Sequence, residues 1–529
     1  MKVVTAEEIK SLDKKAVSEF KIPSLLLMEN AARGLVDQIE KKIGLVTGVR
    51  VAILCGNGNN GGDGIAAARH FRMRGATVTV TLFSPIEKLS MDAKIMLEAW
   101  INTGGAISNE TLEKNLSESH IVVDALLGTG ISHPVSGDLE RAILSINKAR
   151  REYDITVVSV DMPSGISANT GESLGSAVTA DYTFTMGLPK RGLFLREGLQ
   201  CRGKWDVIDI GFPKALVDQI NIPVELIGPA DLKRFTPRPL ESHKGMFGHL
   251  LIIAGSKGKK GAAAMTSLSA LRAGCGLVTT ALPNSIGSMI PTIMEVMTLP
   301  VAETEEGTLS LKSEKELLNA IDGKDCVAIG PGLSQNPETV RLILNLIAQI
   351  HIPMVIDADG INALATDLSV LSHKKGTIIL TPHAGEMARL MGISSETVQQ
   401  DRIGIASLFA QKWGVIVVLK GAHTIVAAPG GGGSATLAGH VAPANGMVSI
   451  ANTGNPGMAT AGTGDVLTGI ISGFLASGMN PQSAAVLGVV LHGLAGDIAR
   501  DELGEVSLIA SDIINKIPVA ILRASLYNQ

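Results

Sequence analysis

At 529 residues the chain is too long for one ordinary core, so roughly two to four domains are expected. Apolar residues make up 45% and charged residues 18%, which excludes a disordered chain. A net charge of −4 with only 3% aromatic residues gives no basis for binding nucleic acid, an anionic membrane or single strands. Cys55, Cys201, Cys275 and Cys326 lie far apart without metal-ligand spacing and read as buried thiols of a reducing compartment. The opening MKVVTAEEIKSLDKK lacks the apolar core of a signal peptide. The apolar stretch Ala484–Ala499 is interrupted by His492 and Asp497, so no run reaches the ~18 residues of a membrane span. A cytoplasmic protein without membrane contact is expected.

The first half opens with Thr5-Ala-Glu-Glu8, a capping-box pattern before an amphipathic helix. A second helix is predicted from Pro23–Ser24 through Ala32, and its apolar Leu25, Leu26, Leu27 and Met28 suit a homo-oligomer interface. Strands follow at Val49–Leu54, Thr77–Phe83, Ile121–Val123, Ile155–Val160 and Tyr182–Met186, with a helix near Ile65–Met73. Short, continuously apolar strands alternating with helices imply a parallel sheet covered on both faces, a three-layer α/β domain.

Gly56-Asn-Gly58-Asn-Asn-Gly61 matches GxGxxG between a strand and a helix, the pattern of a dinucleotide redox fold. The acidic partner expected ~20 residues on is missing, since that strand ends Thr81-Leu-Phe-Ser84. The loop continues through Asn59, Asn60, Gly61, Gly62 and Asp63, richer in amides than a fingerprint turn requires. Asp124 closes one strand before Ala-Leu-Leu-Gly-Thr-Gly130, and Asp161 closes another before Met-Pro-Ser164-Gly165. In a parallel sheet all three loops reach the carboxyl edge, where ligands bind. Turn capping is the alternative role for each Asp.

Five prolines between 213 and 240 suggest a linker, with domains at 1–220 and 221–529. The alternation then restarts, with strands expected at His249–Ala254, Gly276–Leu282, Asp325–Gly330, Pro353–Asp357, Gly376–Thr381 and Val415–Lys420. Gly430–Gly433 reads as a hairpin tip, and three helices end the chain. Gly255–Ala262 follows a strand, but its register fails as a P-loop because Gly261 precedes Ala262. Asp357-Ala-Asp359-Gly360 departs from a calcium loop and reads as a strand-end Asp pair. His383, between strand and helix, suits an orienting or capping role, and Lys420 emerges at the carboxyl edge with a charge that fits phosphate.

The stretch Asn452–Gly469 places Gly462, Thr463 and Gly464 directly before Asp465 and an apolar helical run. A helix N-terminus offers free N–H groups and about half a positive charge, a natural site for phosphate. A carboxylate there suits the removal of a proton from an attacking hydroxyl. The tetrapeptide alone is equally compatible with N-capping.

GNGNNGGDG, VVDALLGTG and VDMPSG, in this order, resemble the NAD(P)H-hydrate epimerase family over about residues 1–215. The resemblance implies a Rossmann-like domain that interconverts the R and S forms of hydrated NADH and NADPH. It implies substrate contacts from Asn59, Asn60, Gly61, Gly62 and Asp63, and from Gly128, Thr129, Gly130, Ile131, Ser132, His133 and Pro134. Asp161 becomes the acid/base, and a K⁺ ion takes ligands from Asn60, Asp124 and Ser164, with Asn59 as the alternative to Asn60.

GSKGKKGA, IGPGLS, VIDADGIN, LTPHAGE, VLKGAHT and AGTGDVLTG resemble the NAD(P)H-hydrate dehydratase branch of the ribokinase-like fold over about residues 225–525. Lys259 stands where that family usually has an aromatic, and Ser334 where it tends to glycine. The resemblance implies phosphorylation of the hydrate's C6 hydroxyl by ADP with Mg²⁺, yielding AMP, and then loss of phosphate. It places Ala262, Gly332, His383 and Asp465 at the hydrate, with Asp465 as base, and Lys420, Gly421, Ala422, His423, Thr424 and Gly464 at the nucleotide. The competing expectation is a ribokinase-like small-molecule kinase with an N-terminal regulatory, cofactor-binding domain.

Overall fold

A computed structural model describes residues 1–234, 238–287, 294–430 and 446–526. The chain divides into two compact units, Met1–Ile222 and Pro223–Gln529.

In unit 1, six parallel strands form one sheet in the order β2-β1-β3-β4-β5-β6. They are β1 Arg50–Cys55, β2 Thr77–Leu82, β3 Ile121–Ala125, β4 Thr156–Val160, β5 Tyr182–Met186 and β6 Lys204–Ile208. Alternate residues of β1 face opposite ways. Val51, Ile53 and Cys55 join a core with the helices Ser24–Lys42 and Asn59–Met73. Ala52 and Leu54 join another with the helix Gly137–Glu152. Both faces are therefore covered, as the continuous apolar strands require. β1 leads to β2 on one side while β3 lies on its other side, so the crevice of the switch point opens between β1 and β3.

The capping box forms as read: Thr5 accepts from the Glu8 N–H, and Glu8 accepts from the Thr5 N–H, opening the helix Ala6–Ser18. Other boundaries differ. The second helix runs ten residues beyond Ala32, to Lys42, because Leu35, Val36 and Ile39 continue its buried face; Gly34 lies against β6, where a Cβ would meet Ile208 at 2.4 Å. Leu27 and Met28 are core residues and only Leu26 is well exposed, at 54%, so the four apolar residues do not form one interface strip. The third helix starts at Asn59, inside the glycine-rich segment, so Asn59–Asp63 are helical and not loop residues. Asp124 is the fourth residue of β3, not its terminator.

In unit 2, ten strands form the sheet β10-β9-β8-β11-β12-β13-β14-β15-β16-β7. They are β7 Val224–Ile227, β8 His249–Ile253, β9 Leu277–Pro283, β10 Met297–Val301, β11 Cys326–Ile329, β12 Met354–Ile356, β13 Ile378–Leu380, β14 Ile416–Leu419, β15 Ile425–Ala427 and β16 Val448–Ala451. Only the β14–β15 and β15–β16 pairings are antiparallel. The helices Lys260–Arg272, Thr463–Ala476, Pro481–Leu503 and Ala510–Leu526 share one core with Leu250 and Ile252. Leu251 and Ile253 are equally buried outside that core, as are Leu342, Ile343, Leu346 and Ile347 of the helix Pro337–Gln349. This is a second three-layer α/β/α arrangement.

The stretch read as a linker contains structure. It holds the helix Lys214–Gln219 and strand β7, which pairs in parallel with β16. The proposed hairpin tip falls largely within 431–445, outside the described residues. The helix Pro481–Leu503 passes unbroken through His492 and Asp497. By length and composition it could cross a membrane, contrary to the reading from the interruptions, but 67% of its apolar window is buried inside the unit.

Candidate active sites

In unit 1 the carboxyl ends of β1, β3, β4 and β5 surround a cavity of about 500 Å³. Its lining includes Asn59, Asn60, Asp63, Gly128, Thr129, Gly130, Ile131 and Asp161. Ser132, His133 and Pro134 are exposed and outside the lining. Gly61 and Gly62 pack behind it: a Cβ on Gly61 would meet the Gly56 carbonyl at 2.1 Å, and one on Gly62 would meet Met28 at 2.6 Å. Their role in the motif is close helix packing, which only a residue without a side chain permits.

Asp161 follows β4 with φ 66°, a left-handed conformation costing about 1–3 kcal/mol for a residue other than glycine. Its Oδ1 accepts three hydrogen bonds, from the Met186 N–H (2.9 Å), Thr185 Oγ1 (3.1 Å) and Lys190 Nζ. Lys190 is 1% exposed and also donates to Thr185 Oγ1 at 3.2 Å and the Met186 carbonyl at 2.9 Å. Reading the sequence missed this lysine, although it follows β5 at the same edge. The first helix, read from its capping box, was not read as part of the site. It is docked by Val4 pairing beside Pro189–Arg191 and by Arg191–Glu8, and it contributes Ile9, Lys10 and Asp13 to the wall. Burial raises the Asp63 carboxyl well above the ordinary range, and Asp161 and Asp13 add to it against Lys190. Asp13, whose side chain still reaches solvent, is pushed up to about 6 by desolvation, with Lys190 opposing and Asp161 adding to it.

Asp124 is fully buried and accepts from Ser159 Oγ (2.8 Å), the Ser164 N–H (2.9 Å) and Ser164 Oγ. Desolvation raises its carboxyl despite those bonds. Asn60 Nδ2 and Ser164 Oγ both donate to the Leu127 carbonyl, at 3.1 and 3.2 Å, so Asn60, Asp124 and Ser164 converge there. Asn60 Oδ1 is buried with no hydrogen-bond partner among the described residues. An orphaned amide oxygen beside a carboxylate and a hydroxyl is a fitting donor set for a hard cation.

In unit 2 the switch point lies between β8 and β11, where the Gly255 N–H donates to the Pro331 carbonyl at 2.8 Å. Gly332, at φ 67°, faces Ala262: a Cβ there would meet that of Ala262 at 3.1 Å. Ser334 holds φ 73°, a conformation that explains a preference for glycine at this position, and its N–H donates to Asp359 Oδ2 at 2.8 Å. Lys259 pairs with the same oxygen at 3.3 Å. Asp357 is buried at the end of β12, and its two oxygens take Lys420 Nζ (2.7 Å) and Thr468 Oγ1 (2.8 Å). Lys420 is thus neither a solvated surface lysine nor an unpaired cation. Burial opposes its charge, but Asp357, Glu386 and Asp465 outweigh it and hold the ammonium above the usual lysine range.

Gly462, at φ 91°, caps the helix Thr463–Ala476, leaving the first N–H groups free of intrahelical bonds. A Cβ on Gly464 would lie 3.3 Å from Lys420 Nζ, which places the glycine turn against the ion pair. Burial pushes the Asp465 carboxyl up to about 7; Asp357 and Asp359 add to this and Lys420 opposes it. His383 caps the helix Ala384–Met391, its Nδ1 accepting from the Gly385 and Glu386 N–H groups. Its Nε2 lies 3.5 Å from Glu386 Oε1. Gly421 and His423 take φ 148° and 51°, and the buried Arg402 steadies their loop by donating to the carbonyls of Ala422 (2.5 Å) and Leu419 (3.2 Å). Arg402 carried no sequence signal, standing at the start of a largely apolar helix.

Residues 24–192 match the family model described as YjeF-related protein N-terminus, and residues 250–519 match NAD(P)H-hydrate dehydratase. The bifunctional NAD(P)H-hydrate repair enzyme of Moorella thermoacetica is 42% identical, covering 98% of this chain and 96% of its own. The chain belongs to the bifunctional NAD(P)H-hydrate repair enzyme family. The relative of the same name from Thermofilum pendens is 38% identical over the same shares. A solved ADP/ATP-dependent NAD(P)H-hydrate dehydratase from Bacillus subtilis, co-crystallised with ATP and Mg²⁺, is 29% identical. It covers 57% of this chain and 99% of its own, with a TM-score of 0.46. The YjeF-related match falls in unit 1 and the NAD(P)H-hydrate dehydratase match in unit 2.

Proposed function

We propose that unit 1 interconverts the R and S forms of hydrated NADH and NADPH, and that unit 2 dehydrates the S form at the expense of ADP, yielding AMP and phosphate. The observation that supports this most directly is Asp465, a carboxyl raised to about 7 in the first turn of a glycine-led helix. A base of that strength, beside an anion cradle, is suited to take a hydroxyl proton at neutral pH. The hydrate oxygen then forms its bond to the terminal phosphoryl group of the nucleotide. The Ala461–Gly464 amides offset the charge on that group, as preorganised donors do. Phosphate departs from C6, the neighbouring carbon loses a proton and the ring double bond returns. Ala262, Gly332 and the His383 ring border the hydrate, while Lys420–Thr424 and Gly464 hold the nucleotide.

In unit 1 the reading assigns substrate to Asn59–Asp63 and Gly128–Pro134, with Asp161 as acid/base at the reacting ring. Asn60 Oδ1, Asp124 and Ser164 would hold K⁺, and the orphaned buried oxygen favours Asn60 over the exposed Asn59. A K⁺ ion held there would supply positive charge to the site. Mg²⁺ is assigned to the nucleotide phosphates; among the described residues no three His, Cys, Asp or Glu side chains are placed to hold a metal ion. We further propose a cytoplasmic homo-oligomer, to be checked by light scattering.

The deciding assay incubates mixed hydrate epimers with the full chain, ADP, Mg²⁺ and K⁺ and follows NADH absorbance. Recovery of both epimers is expected; recovery of one alone removes the epimerase, and no recovery removes the dehydratase. Running ATP in parallel ranks the two nucleotides.

A further inference from the structure

Four carboxylates, Asp13, Asp63, Asp92 and Asp161, and one buried lysine share the unit 1 cavity, and the lysine treats them unequally. All three contacts of the Lys190 ammonium are taken, by Asp161 Oδ1, Thr185 Oγ1 and the Met186 carbonyl. Asp161 Oδ1 is likewise saturated, by three donors. Among the described residues no donor reaches Asp161 Oδ2, so one oxygen is spent on anchoring and the other is left for substrate. Asp63 lines the same cavity from the helix Asn59–Met73 and makes no ion pair among the described residues. Lys10 and Asp13 from the first helix, Asp92 from the helix Met91–Asn102, and Lys190 complete the charged groups around it.

Resting on the epimerase reading, we propose that Lys190 is a positioning residue that holds Asp161 as the base with Oδ2 presented, and that Asp63 is the opposing acid. The hydrate carries its hydroxyl on the carbon bonded to the ring nitrogen. Asp161 takes the hydroxyl proton, the C–O electrons form a carbonyl, the C6–N1 bond breaks and N1 takes a proton from Asp63. Rotation about the C5–C6 bond turns the aldehyde over. N1 then attacks its other face, giving its proton back to Asp63 while the new alkoxide recovers one from Asp161. No oxidant, reductant or water is consumed. Two carboxyls with environments this different make a working acid–base pair: burial pushes the Asp63 carboxyl up with no cation paired to it among the described residues, whereas Asp161 Oδ1 is anchored by three donors, Lys190 among them. Asp13, which reaches solvent, is less suited to be the donor.

The test measures epimer exchange in the full-length chain across pH, with dehydration of pure S hydrate by unit 2 as the internal control. Lys190→Met should lower kcat by at least ~10²-fold, leave KM within about threefold and move the acid limb of the profile to higher pH. Lys190→Arg should return that limb towards its original position by restoring the charge. Asp63→Asn, a neutral and nearly isosteric change, should cost a similar factor in kcat and abolish the alkaline limb. Should Lys190→Met fail to fold, Asp63→Asn decides. A wild-type rate or an intact alkaline limb in Asp63→Asn, or an unmoved acid limb in a folded Lys190→Met, overturns the assignment. Absence of epimer exchange in the unmodified chain would instead defeat the epimerase reading itself.

Discussion

Asp465 illustrates how a single residue can be good for chemistry and poor for stability. Its folded value near 7 lies above the ordinary 3.8, so the fold favours the protonated form. The stabilising contribution is complete below the ordinary value and is lost as pH rises through about 7. Asp465→Asn should therefore melt at a higher temperature than the parent at pH 8, with the gap shrinking at pH 5, while dehydration slows by at least ~10²-fold. Calorimetry at the two pH values, together with a rate assay, checks both halves. A near-normal rate would remove Asp465 as base. Lys420 is the opposite case. Replacing it with Met leaves Asp357 buried without its cation, and the melting temperature should fall by the equivalent of roughly 3–5 kcal/mol, with nucleotide KM rising. The Asp465 position could be read from its tetrapeptide, since glycines before a helix and an acid leave few roles. Lys190 could not, because nothing local says that a lysine after Pro189 is buried against Asp161.

At the level of elements, the helix Ala6–Ser18 connects a local signal to a distant site. Its capping box is complete in the sequence, but its use as cavity wall depends on the docking of Val4 and Glu8 on the segment carrying Lys190 and Arg191. Thr5→Ala should cost about 1 kcal/mol in denaturant melts and raise the epimerase KM while sparing dehydration. His383 tests a second cap. His383→Asn keeps an N-cap acceptor and should hold stability, whereas His383→Ala should lose about 0.5–2 kcal/mol. If Asn also restores the hydrate KM, the ring has no part in binding. Strands β6, β7 and β10 went unread because each is only four or five residues long and carries no motif, and β15 and β16 were implied only as the arms of the Gly430–Gly433 hairpin. The early start of the helix at Asn59 went unread because glycines are poor helix formers, and here tertiary packing against Gly56 and Met28 overrides propensity.

For the whole molecule, the two units predict separable defects in one chain. With mixed hydrate epimers, Asp161→Ala should recover only the S fraction promptly and leave the R fraction to spontaneous exchange. Asp465→Asn should exchange epimers at the parental rate and form little NADH. Chiral chromatography of the residual hydrate distinguishes the outcomes, and a shared loss in both variants would mean the units are not independent.

Order and periodicity along the chain were enough to reveal two wound α/β units and the glycine, amide and acid motifs at their strand ends, since strand alternation and turn chemistry are short-range properties. Pairing Asp161 with Lys190, orphaning Asn60 Oδ1 and raising Asp465 depended on burial and on neighbours drawn from remote strands. Desolvation and charge proximity are properties of three-dimensional packing, and no linear pattern of residues encodes them locally.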